Sequence, residues 1–289
     1  MSIEVIKNFV EDLKESPDKS AVTFYHYTNT EGLVGILNSQ ELWLTDSKFL
    51  NDPSEKQHGL LISELANLNV WNTLMSEVIA SIEKEEQPDK SALHFLDESI
   101  KRHKEFAEKE YMASTYLMSF CEDGDLLSQW KGYSNYGKGF SIGFKKSFLS
   151  DISGFHLGRV IYSWEEKIKI LEKVTINFID KYKVNIQEFN NELLTDFFNL
   201  IGFISIFFKD YFFKEENEWR LVSVPELKQK PDCKATNSGV TPFIKIQIKP
   251  LEEKIDKIIL GPKYDSRYIY SLKNWFPIEK IELSKGSLV

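Results

Sequence analysis

Val22-Thr23-Phe24-Tyr25-His26-Tyr27-Thr28, followed at once by Asn29-Thr30-Glu31-Gly32-Leu33, is the stretch that decides the fold. Its first part is dense in β-branched and aromatic residues, so Val22 to Tyr27 reads as a strand. Thr28 and Glu31 then have the spacing of a capping box, each side chain reaching the other's backbone N–H. They open a short helix with Leu33, Ile36 and Leu37 inside. Alternate strand residues share a face, so Val22, Phe24, His26 and Thr28 point one way. His26 therefore ends an apolar row where a cleft would begin. Taken alone, the segment favours a core histidine satisfied by a carbonyl over a ligand-facing one.

Outward from this unit the chain alternates between strand and helix patterns. Val5, Ile6, Phe9, Val10 and Leu13 recur at helical spacing, which predicts a first amphipathic helix. Leu42 to Thr45 is a second short strand, and Leu50-Asn51-Asp52-Pro53 a turn that caps the next helix, with Glu55 favoured by its dipole. Residues 54–110 read as mostly helical, broken at Gln87-Pro88. Strands are expected at Ser114 to Phe120, Gly139 to Phe144 and His156 to Ser163, with a helical turn between the first two. Long helices follow, at Glu165 to Tyr182 and Ile186 to Phe212. The C-terminal part returns to strands at Glu218 to Val224, Pro242 to Ile248, Lys254 to Leu260 and Lys280 to Leu283. Strands at both ends with helices between them predict an α+β fold, one sheet-based domain carrying helical insertions.

Composition narrows the function classes. The 289 residues carry a formal charge of −8, so nothing draws the chain generally to phosphate backbones. Lys101, Arg102, His103 and Lys104 form the densest basic run, and a helix would spread them around its circumference. Two cysteines, Cys121 and Cys233, make neither a disulfide framework nor a multi-cysteine zinc site, and fit a reducing compartment. The apolar run from Leu200 to Phe208 is far short of a membrane span. A cytoplasmic protein without a membrane partner is expected. Of the 21 phenylalanines, nine lie between Trp164 and Glu218, which points to packing between helices.

Two further motifs carry polar chemistry. Ser119-Phe120 is followed by Asp125, Trp130, Tyr133, Tyr136 and Gly137-Lys138-Gly139-Phe140. Trp130 and Tyr133 are three apart, hence neighbours on one helix face. Gly137 and Gly139 permit a close approach of the backbone to a ligand or to another strand. Aromatic core packing and a nicotinamide or adenine stacking site are equal readings here. Glu215-Glu216-Asn217-Glu218-Trp219-Arg220-Leu221-Val222 would place Glu216, Glu218 and Arg220 on one face of a strand. Adjacent like charges there need a reason, either a self-paired exposed edge or a polar cleft.

The order of these motifs resembles a widespread bacterial family catalogued as a domain of unknown function. The resemblance runs from Phe24 to Lys257-Ile258-Ile259-Leu260-Gly261-Pro262. A more distant resemblance is to the ADP-ribosyltransferases, including the poly-ADP-ribose polymerases and the DarT nucleic-acid modifying toxins. It rests on the aromatic-His-x-Thr strand, the helix after it ending Ile36-Leu37-Asn38-Ser39, the Gly-Lys-Gly-Phe turn, and Glu216-x-Glu218.

That resemblance implies one ADP-ribosyltransferase-like domain over residues 1–289, a split β-sheet gripping NAD, with insertions at about 54–112 and 165–213. It implies NAD as substrate, and an unidentified protein or nucleic acid as acceptor. A role as a bacterial toxin or phage-defence effector, with a neutralising antitoxin, follows from the same analogy. Glu218 would be the catalytic carboxylate, Glu216 the base for the acceptor, and His26 the ribose ligand. The remaining NAD contacts would come from Tyr25, Thr28, Ser119, Trp130, Tyr133, Tyr136 and Arg220, with Tyr133 or Tyr136 stacking on nicotinamide. An NAD glycohydrolase using the same groove and a non-catalytic nucleotide-sensing module are the alternatives. The chain departs from the polymerases in carrying Tyr27 where they have Gly, and in the long interval before Glu218.

Overall fold

The computed structural model describes residues 22–49, 64–74, 91–108, 115–182, 191–224, 229–236, 239–276 and 280–286, together with Phe9, Leu13, Ile62, Ser76 and Leu227. The Leu50-Asn51-Asp52-Pro53 turn, Glu55, the break at Gln87-Pro88 and most of the expected first helix lie outside these residues. The chain divides into two compact units. One comprises residues 1–12, 51–113 and 161–213, the other residues 13–50, 114–160 and 214–289.

The first unit is helical where it is described. It holds a helical stretch at 64–74 and the helices α2 (Ser91–Glu108), α5 (Trp164–Lys181) and α6 (Asn191–Ser205). Its core is aromatic, as the phenylalanine clustering predicts: Phe95, Phe178 and Phe197 meet with ring centroids 5.1–5.6 Å apart. Helix α6 stops at Ser205, short of the expected Phe212. Beyond it the chain extends, and Phe208 bridges to Ile161, with Phe207 and Ile161 carbonyls accepting from Ile161 and Lys209 N–H groups. An extended partner competes here for backbone groups that a longer helix would use internally.

The second unit is built on a mixed sheet of ten strands, with short helices attached. Its strands are β1 (Thr23–Thr28), β2 (Glu41–Asp46), β3 (Tyr116–Cys121), β4 (Phe140–Lys145), β5 (Phe155–Arg159), β6 (Glu218–Ser223), β7 (Asp232–Thr236), β8 (Gly239–Gln247), β9 (Ile255–Leu260) and β10 (Ile281–Leu283). Every pairing is antiparallel except β9 with β10. Helix α1 (Thr30–Ser39) joins β1 to β2, and α3 (Leu127–Gly132) lies between β3 and β4. Helices α4 (Lys146–Ser150), α7 (Leu251–Lys254) and α8 (Ser266–Trp275) complete the unit. The main core lies on the face of Phe24, Met118, Phe120, Ile142, Trp219 and Ile258. A smaller cluster of Tyr25, Tyr27, Cys121, Trp130 and Ile259 occupies the opposite face.

Three local expectations are corrected. The cap of α1 is Asn29, not a Thr28–Glu31 box: its side chain accepts from the Gly32 N–H at 2.8 Å. Glu216 is not on the strand with Glu218. It closes a 3-10 helix (Tyr211–Glu216), and Asn217, at φ 40°, turns the chain before β6 begins. Strand β5 starts at Phe155 and ends at Arg159, because its partner β6 offers register only from Trp219 to Ser223.

Candidate functional site

Strand β3 is where the sheet branches. Leu117 is paired with both Val222 and Thr45, and Cys121 with both Glu218 and Tyr25. Strand β6 takes one edge of β3 along its length. Strands β1 and β2 must therefore share the other edge, β2 at residues 116–117 and β1 at Cys121 only. Between them, Met118, Ser119 and Phe120 have no ladder partner on that edge among the described residues. Backbone polar groups left over by a ladder need another partner.

His26 supplies one. Its Nδ1 lies 3.0 Å from the Ser119 carbonyl oxygen, and its ring meets Phe120 edge-on at 6.0 Å. A carbonyl only accepts, so Nδ1 carries the proton and Nε2 of the neutral ring holds a lone pair. Burial pushes the His26 pKa down to about 4, against the bond to Ser119, and the nearby Lys234 ammonium lowers it further. The histidine is satisfied by a carbonyl, as its segment alone favours. No described residue bonds its Nε2.

Lys234 belongs to this place, and no sequence signal pointed to it. It sits on edge strand β7, opposite Thr241, and its Nζ donates to Thr45 Oγ1 at 3.1 Å. Burial lowers its pKa, and the ammonium lies 5.8 Å from the Phe243 ring centroid. Thr45 itself is paired to Leu117 at the branch. The branch thus has His26 at its open edge, on the face of Phe24 and Phe120, and Thr45 with Lys234 on the opposite face.

The acidic motif has a different setting. Glu218 and Arg220 are 4% and 2% exposed, and Arg220 Nε and Nη2 donate to the two Glu218 oxygens at 2.8 and 3.3 Å. Cross-strand partners share a face, so Glu218 lies with Cys121 and Tyr25, on the face opposite to Phe24 and His26. Glu218 and His26 are not brought together side by side. Trp219, between the charged pair, stacks on Phe24 at 4.6 Å and donates to Glu122 at 2.9 Å. Glu216 is also buried.

The aromatic candidates separate into two groups. Trp130 is buried, packed edge-on to Tyr27 at 4.9 Å and donating to Asp125 at 2.7 Å. Tyr25 is buried in the same cluster, with Lys257 near its ring. Tyr27 donates to the Asp123 carbonyl and accepts from the Leu126 N–H, which ties the loop before α3 to β1. Tyr133 and Tyr136 are exposed, on the turn that leads into β4. Because Thr28 pairs with Phe140, that turn lies beyond the C-terminal end of β1. Thr28 Oγ1 packs on Gly32, where a Cβ would stand 2.0 Å away.

The glycines of this turn serve strand contact. A Cβ on Gly139 would come within 2.3 Å of the Thr28 carbonyl oxygen, and one on Gly261 within 2.4 Å of the Gly137 oxygen. Gly261 and Lys263 N–H groups donate to the Gly139 and Gly137 carbonyls at 2.9 and 3.1 Å. The Gly-Lys-Gly turn is filled by its own neighbours rather than cradling an anion.

The fold and site define a mixed α+β protein whose large open sheet branches at one strand, with a neutral histidine in the branch. Residues 129–221 match the model of a family described as Protein of unknown function (DUF2971). The matched span runs from Gln129 in α3 to Leu221 in β6, and so holds Trp130, Tyr133, Tyr136, Glu216, Glu218 and Arg220 but not His26. No curated protein and no solved structure is significantly similar to the chain. Among the described residues no helix is long and apolar enough to cross a membrane.

Proposed function

We propose that the protein binds NAD at the branch of its sheet and transfers ADP-ribose to a macromolecular acceptor. The observation that carries this reading is His26, fixed as the Nδ1–H tautomer by Ser119 and left with Nε2 as an acceptor. A ribose hydroxyl is a donor of the right kind for that nitrogen. A sheet that branches at β3, beside the histidine-bearing strand β1, supports an ADP-ribosyltransferase-like arrangement. Tyr133 and Tyr136, both exposed beyond the end of β1, supply faces on which nicotinamide can stack.

In this reaction the bond between ribose C1′ and nicotinamide breaks, and its electron pair leaves with nicotinamide. The acceptor's nucleophile bonds C1′ and gives up its proton to a base, the role assigned to Glu216. Positive charge develops on the sugar in the transition state, where a fixed carboxylate stabilises it more than in the ground state. Glu218 is assigned that part by the resemblance, although Arg220 holds its carboxylate on the face of the sheet away from His26.

The Glu218–Arg220 pair also favours a second reading. Both carboxylate oxygens are engaged, on the face away from His26. A module that binds the nucleotide without turning it over needs no freer carboxylate. Incubating purified protein and lysate with NAD labelled in its ADP-ribose part separates the readings. Label on a macromolecule supports transfer, free ADP-ribose indicates a glycohydrolase, and bound but intact NAD the sensing module. Intact NAD with no binding overturns all three.

A further inference from the structure

One end of the sheet carries exposed rings and lysines together. Helix α8 packs Ile269 and Leu272 against the main core. Tyr268 and Trp275, two helical turns apart, share a flank of α8 and stand about 10 Å from each other along it. They are 48% and 74% exposed. The Tyr268 ring stands edge-on to Tyr264 at 4.8 Å, and Tyr264 packs on Phe140 at 4.9 Å, which anchors this strip at its inner end. Tyr264 also ties it to the turn of Tyr136. Its hydroxyl donates to the Lys138 carbonyl at 2.9 Å, and the Lys263 N–H donates to the Gly137 carbonyl. Tyr136 is exposed, although its φ of 54° is a left-handed conformation that a bulky side chain adopts at a cost.

The charge here runs against the −8 of the whole chain. Lys138 and Lys263 are exposed, as are Lys131 on α3 and Lys273 on α8, and none of them has an ion pair among the described residues. Arg267 and Asp265 neutralise each other at 2.7 Å. Glu31, in the first turn of α1, is an acid that the contact of Thr30 with Tyr264 brings to the same end. Exposed rings beside uncompensated lysines suit a ligand made of flat bases on a phosphate chain. A duplex hides the faces of its bases, and a membrane-binding helix presents aliphatic side chains outward, where α8 turns them in.

We propose that Tyr268 and Trp275, with Lys138 and Lys263, form a surface that binds unpaired nucleotides of a single-stranded nucleic acid and holds it as the acceptor of ADP-ribose. The binding stands by itself, and the acceptor role rests on the transferase reading above. The strip begins at the turn of Tyr133 and Tyr136, the faces proposed for nicotinamide, so a strand along it approaches the bond that breaks. The transfer step is the one above, with a nucleotide group as the nucleophile.

Fluorescence anisotropy on the full chain tests it with labelled oligo(dT), labelled oligo(rU) and a labelled duplex, beside sedimentation with phosphatidylserine-containing vesicles. At least one single strand should bind, more tightly than the duplex, and the pair of strands tells DNA from RNA. Tyr268→Ala and Trp275→Ala should each weaken that binding by about tenfold, and Tyr268→Phe should keep it. Lys138→Gln with Lys263→Gln should lower the slope of log affinity against log salt by about 1.4, the change for two phosphate contacts on a single strand. The surface is overturned when no single strand binds, when the duplex binds as tightly, when only vesicles bind, or when these variants bind as the parent does. Strand binding without transfer of label from NAD keeps the surface and discards the acceptor role. Labelled product that resists nuclease and yields to protease keeps the transferase and discards that role too. All four side chains are exposed, and an unchanged thermal transition confirms that the variants fold.

Discussion

Arg220 holds the carboxylate of Glu218, two residues before it on the same strand, through Nε at 2.8 Å and Nη2 at 3.3 Å. Both side chains are almost wholly buried. Removing one member takes this partner from the other charge in a medium that solvates charge poorly.

Glu218→Ala should therefore destabilise the protein by about 3–5 kcal/mol. The double variant Glu218→Ala with Arg220→Met should recover a large part of that loss, because both charges of the pair are then gone. Urea unfolding of the three proteins measures both numbers. Equal stability of single and double variants would show that the pair is not the structural element inferred here. Any loss of NAD turnover in Glu218→Gln has to be read beside this measurement.

His26 makes stability depend on pH with a definite sign. Its folded pKa, about 4, lies below the ordinary value of 6.5, so the unfolded chain takes up the proton first. Its contribution to stability is complete above about pH 6.5 and declines as the pH falls towards 4, by on the order of 3 kcal/mol in all. His26→Gln should flatten this part of the stability profile. NMR titration of the imidazole should find it neutral at pH 5, and Lys234→Met should move its titration upward. A His26 midpoint near 6.5 in the parent protein would contradict the burial that the branch imposes.

Tyr27→Phe removes the acceptor of the Leu126 N–H and the donor to the Asp123 carbonyl. Leaving those backbone groups without a partner should cost about 1–3 kcal/mol. Hydrogen exchange should quicken at Leu126 first. A variant of parental stability would mean that water replaces the phenol without loss.

Two glycines should respond oppositely to the same methyl group. Gly35→Ala adds it in α1 with nothing within 4 Å, and should stabilise the protein by roughly 0.5–1 kcal/mol through helix propensity. Gly139→Ala adds it 2.3 Å from the Thr28 carbonyl oxygen and 2.6 Å from Ser134 Cβ, and should destabilise it. Thermal unfolding of the two variants against the parent gives the comparison, and shifts of the same sign would refute it.

The strands that carry a row of apolar or aromatic residues were legible from local pattern: β1, β2, β3, β4, β6 and β9 lie within one or two residues of their expected positions, and β8 begins three residues earlier than expected, at Gly239. Strand β7 was not, because Asp-Cys-Lys-Ala-Thr has no apolar row, and it forms as an edge strand through pairing with β8. The Glu216-x-Glu218 spacing looked like one strand face because alternation assumes an extended chain. The left-handed turn at Asn217 ends that assumption one residue before β6.

The sequence by itself determined which segments extend and which coil, since periodicity and turn chemistry act over a few residues. It also placed His26 at the end of an apolar row, and marked the E-x-E-W-R stretch as one needing explanation. Only the tertiary structure decided that Ser119 binds His26 across a gap in the sheet, that Arg220 neutralises Glu218 on the other face, and that Lys234 joins the branch from more than 200 residues away. Those outcomes depend on strand order and register, which are set by the burial of whole faces and leave no mark in any short window of residues.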